Sequence, residues 1–388
     1  MTPAARFQAA IDILDDILSG APVEKALTGW ARRSRFAGSK DRAAIRDHVF
    51  DALRCKRSFS ALGGAETGRG LMIGQLRAKG LDFSQIFTGD RHAPEPVAAS
   101  ESPREFSDAA ERLDIPGWLW PEFQNSLGEQ AEAAAMALQT RAPVHLRVNL
   151  LQGDQANAVR LLAQDGIETR PHSACSTALE VTTGARKVAQ SRAYKSGLVE
   201  LQDAASQAVV ASLDIRPGMR VLDYCAGGGG KALALAAREK SIVVYAHDAN
   251  PGRMRDIPAR AERANAKIAI LTSTEVEHHA PFDIVLTDVP CSGSGSWRRA
   301  PAGKWSLTRE TLETLTQVQS KILETAAPLV AADGTLAYAT CSMLSVENDA
   351  MVDRFLGNHP EWTCGYRKSW HVSHGTDGFY TAHLTRKE

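Results

Sequence analysis

Neither sign of charge dominates this sequence: 45 Lys and Arg side chains stand against 45 Asp and Glu, for a formal net charge of zero. Nucleic-acid binders usually carry a basic excess, so any RNA- or DNA-facing surface has to be a local feature. Cysteine is sparse as well. Six cysteines, unevenly spaced, make neither a disulfide framework nor the CxxC or Cys/His spacing of a zinc site. No metal is expected, and free thiols fit a reducing cytosol. Long apolar runs are missing. No stretch approaches the roughly 20 residues that span a bilayer, and Asp12, Asp15 and Asp16 interrupt the apolar residues where a secretory leader would have its core. A soluble, cytoplasmic chain without a membrane partner is expected. There is no internal repeat and no low-complexity tract. The sequence does have apolar material, at 44% of 388 residues. That suits a well-packed core in two or three domains of roughly 100–200 residues each.

Residues 1–87 read as helical. Phe7, Ile11, Leu14 and Leu18 recur at helical spacing, as do Ile45, Val49 and Leu53. Between Arg32 and Arg57 nine basic residues (Arg32, Arg33, Arg35, Lys40, Arg42, Arg46, Arg54, Lys56, Arg57) face three aspartates. This is either a phosphate-contacting face or an ordinary solvated helix surface. Residues 88–140 begin with a Pro/Ala/Ser/Glu-rich stretch to Pro103, read as a linker, and continue as a helical segment with Trp118, Trp120 and Phe123. In residues 141–196 the pattern becomes strand (VHLRVNL), helix (154–165) and strand (ALEVTT), a small α+β unit. From 197 to 388 apolar strands alternate with helices at MRVLDYCA, SIVVYAHD, IAILTS, FDIVLTDV and GTLAYATC. That rhythm predicts a mostly parallel α/β sheet covered on both faces, with ligands bound at the carboxyl ends of its strands.

The residues after each strand therefore carry the chemistry. The first strand runs into four glycines, 227–230, ahead of an alanine-rich helix. Glycines allow close approach of a ligand, and a helix N-terminus suits a carboxylate. The turn is not a Walker loop. Asp248 ends the second strand about 20 residues later, where an acidic side chain can hold ribose hydroxyls or simply cap the next helix. The fourth strand ends at Asp288, Pro290 and Cys291, followed by Trp297, Arg298, Arg299, Lys304 and Trp305 with no acid before Glu310. Basic residues interleaved with aromatics suit RNA, although a surface loop with packed tryptophans gives the same pattern. The fifth strand ends at Cys341. A single free cysteine is usually a small core residue; two at strand ends beside a glycine turn are harder to assign to packing. Cys55, Cys175, Cys225 and Cys364 have no such setting and are read as structural.

The segments VLDYCAGGGGK, HDAN with Arg253, TDVPCSGSG, RRAP…KW and ATCS…VEN resemble those of the Sun/Fmu-type (NOL/NOP/Sun) RNA cytosine-5 methyltransferases. The nearest type is the bacterial 16S rRNA cytosine-5 methyltransferase B. The likeness covers nearly the whole chain. GLVELQDAASQ (197–207) is similar to the segment before that family's catalytic domain, LRVNL (146–150) to its small RNA-binding unit, residues 1–85 to a NusB-like helical domain, and DGFYTAHL to its closing strand. Two departures stand out. The family's glycine turn usually contains proline and ends in Lys-Thr, whereas this one reads GGGGKA. Where the family has an acidic residue after the third strand, this chain has Thr272, Ser273 and Thr274 before Glu275.

The resemblance implies a Rossmann-like S-adenosylmethionine-dependent methyltransferase domain preceded by a NusB-like domain and a small α+β RNA-binding unit. The implied reaction is methyl transfer from S-adenosylmethionine to carbon 5 of a cytosine in RNA, with small-subunit ribosomal RNA as the first candidate. Cys341 is the implied nucleophile, Cys291 assists product release, Asp288 hydrogen-bonds the cytosine edge, and Lys231 lies near the cofactor or the base. Ala226, Gly227, Gly228, Gly229, Gly230, Lys231, Asp248, Arg253 and Asp288 are the expected cofactor contacts, and Arg147, Asn149, Arg298, Arg299 and Lys304 the expected RNA contacts. Three alternatives remain: a DNA cytosine-5 methyltransferase using Cys291 as nucleophile, a non-catalytic RNA-binding assembly factor of the same fold, and a methyltransferase for protein or small molecules.

Overall fold

The computed structural model describes residues 1–387. The chain folds into two compact units, one made of Met1–Arg141 and Trp297–Ser306, the other of Ala142–Ser296 and the chain from Leu307 on.

The first unit is helical. Its principal helices are Pro3–Leu18, Val23–Arg33, Ser39–Arg54, Lys56–Gly63 and Gly68–Ala78. The 3–18 helix starts at Thr2, whose hydroxyl accepts from the Ala5 amide, with Pro3 in the first turn where its missing N–H costs nothing. Phe7, Ile11, Leu14, Ile45, Val49 and Leu53 are buried together with Phe59, Leu71 and Met72. Gly74 lets the 56–63 and 68–78 helices touch, since a Cβ there would lie 1.9 Å from the Phe59 carbonyl oxygen. Residues 88–103 are not a free linker. Arg69 donates to the carbonyls of Glu95 and Pro96 and forms a two-pronged pair with Glu101, and the Arg104 amide bonds Ala61 O.

Residues 297–306, read from sequence as part of the catalytic domain, pack with this helical unit. The Ser39–Arg54 helix leaves its last carbonyls without helical partners. Lys304 Nζ donates to Arg54 O at 2.9 Å and Trp305 Nε1 to Leu53 O at 2.6 Å, while Arg54 Nε returns a bond to Arg298 O.

The second unit carries two sheets. The smaller is antiparallel, with β1 (Val144–Val148), β2 (Glu168–Pro171), β3 (Ala178–Thr183) and β4 (Val199–Leu201) in the order β2-β3-β1-β4, backed by the Gln155–Gln164 helix. The larger comprises β5 (Arg220–Asp223), β6 (Val243–Ala246), β7 (Ile268–Ile270), β8 (Phe282–Asp288), β9 (Val330–Thr340), β10 (Trp362–Trp370) and β11 (Phe379–Arg386). Its order is β10-β11-β9-β8-β5-β6-β7. The five strands from β5 to β9 are parallel, and β11 and β10 close one edge antiparallel. Val221, Ile284, Leu286 and Ala337 face one hydrophobic layer, Leu222, Val285, Leu336 and Tyr338 the other, as a sheet with both faces covered requires. The mixed α/β architecture with a Rossmann-like sheet is the expected one, and the N-terminal unit is helical as expected. Strand order runs outward from β5 through β6 and β7 on one side and through β8 and β9 on the other. The crevice between β5 and β8 is therefore the topological switch point where such sheets bind ligands. Among the described residues no helix is long and apolar enough to cross a membrane.

Candidate active site

The glycine turn leaves β5 at Asp223 and hangs from its neighbours: Tyr224 N bonds Leu286 O, Ala226 N bonds His247 O, and Gly229 N bonds Ala226 O. Gly227 and Gly229 have φ of 50° and 80°, a region that side-chain-bearing residues rarely adopt. At Gly229 a Cβ would also lie 2.7 Å from Ile257. Asp248, nearly buried at the end of β6, stitches this turn to the next. Its carboxylate accepts from Gly227 N and Asn250 N, each at 2.9 Å, and pairs with the exposed Arg253 at 3.1 Å. Ala226 to Gly230, Asp248 and Arg253, all expected to hold the cofactor, thus come together. Behind the turn the Arg147 guanidinium bonds Gln202 and, at 2.9 Å, Gly230 O.

Across the switch point, at the end of β8, Asp288 accepts from Lys231 Nζ at 2.7 Å. Lys231 is buried and its ammonium lies 4.9 Å from the Phe379 ring centre. Burial works against its charge, but the Asp288 charge and hydrogen bond, helped by Asp223, outweigh it and raise its pKa. Asp223 itself is fully buried and pushed up to about 7, first by burial and then by the neighbouring Asp288 charge. Asp223 and Phe379 were missed in the sequence. The position of Asp223, an acid closing the strand before the glycine turn, was the available signal.

Cys291 and Cys341, from the ends of adjacent strands β8 and β9, place their sulfurs 3.4 Å apart as free thiols. The Cys291 thiol is held well above the ordinary thiol range, first by its hydrogen bond with Cys341 and then by burial. Lys231 is within electrostatic reach of Cys341. The arrangement offers a pair of sulfurs, a buried cation–carboxylate pair and a glycine turn backed by an acid, all at carboxyl strand ends.

The expected RNA contacts are mostly placed elsewhere. Arg147, Asn149, Arg298 and Lys304 are buried. Asn149 Nδ2 bonds the carbonyls of Gly197 and Ala264, and Arg147 and Lys304 make the internal bonds described above. Desolvation lowers the pKa of Lys304 to about 8 and that of Arg147 to about 10. Arg147, Asn149 and Lys304 thus turn donors inward onto carbonyls, Arg298 is buried, and only Arg299 is exposed. Of the basic stretch, Arg32, Arg33, Arg35, Lys40, Arg42 and Arg46 are exposed and Arg54 is buried. Outside the site, His145, His172 and Glu180 each bring one potential ligand atom within 4.8 Å of the others, a grouping that residue spacing did not signal. His145 Nδ1 faces Asp203, and Glu180 is paired with Arg170. A cavity of about 630 Å³ lies in the helical unit between Thr2, Asp12, Trp30 and Phe36.

Residues 210–385 match the sequence model of the family described as 16S rRNA methyltransferase RsmB/F. Residues 115–188 match the RsmF/B-like ferredoxin-like domain, which starts earlier than the α+β unit read from residue 141. Ribosomal RNA small subunit methyltransferase B of Citrobacter koseri is 32% identical over 298 residues, covering 73% of this chain and 69% of the relative. The chain belongs to the RsmB/F family. The protein of that name from Xylella fastidiosa is 35% identical over 255 residues, covering 64% of this chain but only 58% of its own length. The match thus spans less than two thirds of that RsmB relative. Among solved structures, PH0851 superposes with a TM-score of 0.77 over 100% of this chain and 99% of its own, at 22% identity. At that identity the likeness supports the fold alone, and the RsmB/F assignment rests on the sequence matches.

Proposed function

We propose that this RsmB/F-family chain transfers the methyl group of S-adenosylmethionine to carbon 5 of a cytosine in RNA, most directly small-subunit ribosomal RNA, through a covalent adduct on Cys341. The observation that carries this reading is the contact of two thiols at 3.4 Å beside the Lys231–Asp288 pair. Methyl transfer to an oxygen or nitrogen that is already nucleophilic has no use for such a pair.

The residues present fit the cofactor: a glycine turn open to close approach, Asp248 to receive ribose hydroxyls, and Arg253 at the rim. S-adenosylmethionine, when bound there, supplies an electrophilic methyl group. Carbon 5 of cytosine is a poor nucleophile. The Cys341 thiolate adds to carbon 6, and the displaced electron pair makes carbon 5 an enamine carbon able to take the methyl group. This is covalent catalysis, dividing one difficult step into easier ones. Cys291 lies in hydrogen-bonding contact with Cys341, and the Lys231 ammonium is within electrostatic reach of it. Asp288 bonds the cytosine edge as charge builds on the ring, with Lys231 holding the carboxylate in place. Solvent water then takes the carbon 5 proton, that bonding pair re-forms the carbon 5–carbon 6 double bond, the carbon 6–sulfur pair returns to Cys341, and Cys291 assists that release. Before this chemistry the base must leave any stack, which favours unpaired RNA. Arg32, Arg33, Arg35 and Lys40 on the helical unit are proposed to grip phosphates, separating positioning from base chemistry.

The test is product analysis. Purified protein, S-adenosylmethionine and unmodified small-subunit ribosomal RNA should give 5-methylcytidine by nucleoside mass spectrometry. Methyl groups found only on other atoms, or on ribosomal protein, would overturn the proposal.

A further inference from the structure

Glu347 and Asn348 follow Cys341 by six and seven residues and take no part in the chemistry above. Both are buried, Glu347 completely. The Glu347 carboxylate receives four neutral donors: the Ser292 amide at 2.8 Å, the hydroxyls of Ser292 and Ser342, and Gln319 Nε2 at 2.9 Å. Gln319 Nε2 also donates to Pro290 O at 2.9 Å. The peptide groups on both sides of Cys291 are thereby fixed, the Pro290 carbonyl by Gln319 and the Ser292 amide by Glu347. Asn348 ties down the two residues that flank Cys341, Thr340 by its hydroxyl and Ser342 by its carbonyl. Its Oδ1 accepts from the Thr340 hydroxyl at 2.6 Å and its Nδ2 donates to Ser342 O at 3.0 Å. The two halves are joined through the serines, since Ser342 Oγ lies 3.2 Å from Ser292 Oγ and 3.1 Å from Ser294 Oγ. Tyr338 holds the Glu347 main chain by donating to its carbonyl at 2.6 Å.

We propose that Glu347 and Asn348 are positioning residues that set the separation of the two cysteine sulfurs, with Glu347 coupling the Cys291 turn to the Cys341 turn. A carboxylate suits the post because it only accepts: two oxygens can take several converging donors. A carboxamide of the same shape would turn an NH₂ toward at least one of them, leaving buried donors unmatched. Loop-borne reactive groups need such support, because displacement by about 1 Å can cost about a hundredfold in rate. The kinetic consequence rests on the covalent reading of the site; the geometric one does not.

The experiment compares full-length wild type with Glu347→Gln and Glu347→Asp. Diamide takes two electrons and two protons from a thiol pair, becoming the hydrazine and leaving a disulfide. The Cys291–Cys341 cross-link is counted by peptide mass spectrometry after the remaining thiols are alkylated. In wild type it should form readily. In Glu347→Gln it should form about tenfold more slowly, with an unchanged circular dichroism spectrum and unchanged S-adenosylhomocysteine affinity. In the RNA assay the Gln variant should lose about tenfold in kcat, keep KM for RNA and cofactor within about twofold, and accumulate protein–RNA adduct, with partial rescue by Glu347→Asp. Cross-linking at the wild-type rate would overturn the proposal, as would a kcat loss matched by the loss of folded protein. If Glu347→Gln does not fold, Ser342→Ala, which removes one donor, carries the same expectation at about threefold. If wild type methylates no RNA, slowed cross-linking still supports the positioning role, and only the covalent reading fails.

Discussion

Replacing Asp248 with asparagine exchanges one carboxylate oxygen for an NH₂ at the junction of the glycine turn and β6. In the wild type two backbone N–H groups converge on that carboxylate at 2.9 Å, one from Gly227 and one from Asn250. An asparagine can satisfy one of them through its oxygen and must point its NH₂ at the other. A hydrogen bond to a charged acceptor contributes about 1.5–3 kcal/mol, and an unmatched buried donor costs about as much. The Arg253 pair adds little, about 0.5 kcal/mol, because its guanidinium is more than half exposed. If the ribose of the cofactor rests on Asp248, the variant should bind S-adenosylhomocysteine about 10- to 150-fold more weakly. Arg253→Ala should weaken binding by about twofold. Calorimetric titration of the folded proteins measures both. An Asp248→Asn protein with a lower melting temperature but a Kd within about twofold of wild type would show that Asp248 only fastens the turn, and the cofactor assignment would be wrong.

Three further outcomes follow from the same structure. Gly74→Ala should destabilise the helical unit by about 1–3 kcal/mol, because its methyl group would enter the Phe59 carbonyl; an unchanged thermal melt would contradict the close packing. Lys304 is depressed from the ordinary lysine value of 10.5 to about 8 by burial. Below that pH its charge is buried at a cost. As pH rises from about 8 toward 10.5 the folded state loses the proton first and the cost is relieved, by at most about 3.5 kcal/mol. The melting temperature of wild type should therefore rise relative to Lys304→Met across that window, and a constant difference would refute the buried charge. Neutralising Arg32, Arg33, Arg35 and Lys40 together should reduce the slope of log K against log salt for RNA binding by about 3; an unchanged slope would place the RNA elsewhere.

The catalytic sheet was legible because its central strands are short apolar runs closed by a glycine, an acid or a cysteine. VLDYCAG, AHD, TDVPC and YATC each announce both a strand and the residues at its end. The contact of Cys291 with Cys341 needed one more fact, that β8 and β9 are neighbours, which sequence order alone left open. Other features were hidden for physical reasons. β2 is four residues, ETRP, with little burial, and β10 alternates too weakly to stand out until paired with β11. The 88–103 stretch has the composition of a linker but is fixed by one arginine, Arg69, reaching three of its residues. RRAPAGKW reads as an RNA-facing loop, yet its lysine and tryptophan close the C-terminal carbonyls of a helix some 250 positions away in the chain. Composition cannot separate a cation that meets phosphate from one that meets a carbonyl. The VEN motif was visible without a role, because the role lies in hydrogen bonds to both cysteine turns.

Covalent trapping tests the central claim most directly. Cys291→Ala, Cys341→Ala and the double variant are each incubated with S-adenosylmethionine and small-subunit ribosomal RNA, and denaturant-resistant protein–RNA adducts are counted. A Cys341 nucleophile with Cys291 as release residue predicts an adduct in Cys291→Ala that is absent from both proteins lacking Cys341. An adduct in Cys341→Ala would reverse the two roles. No adduct in any variant, with an RNA that wild type does methylate, would contradict the covalent mechanism.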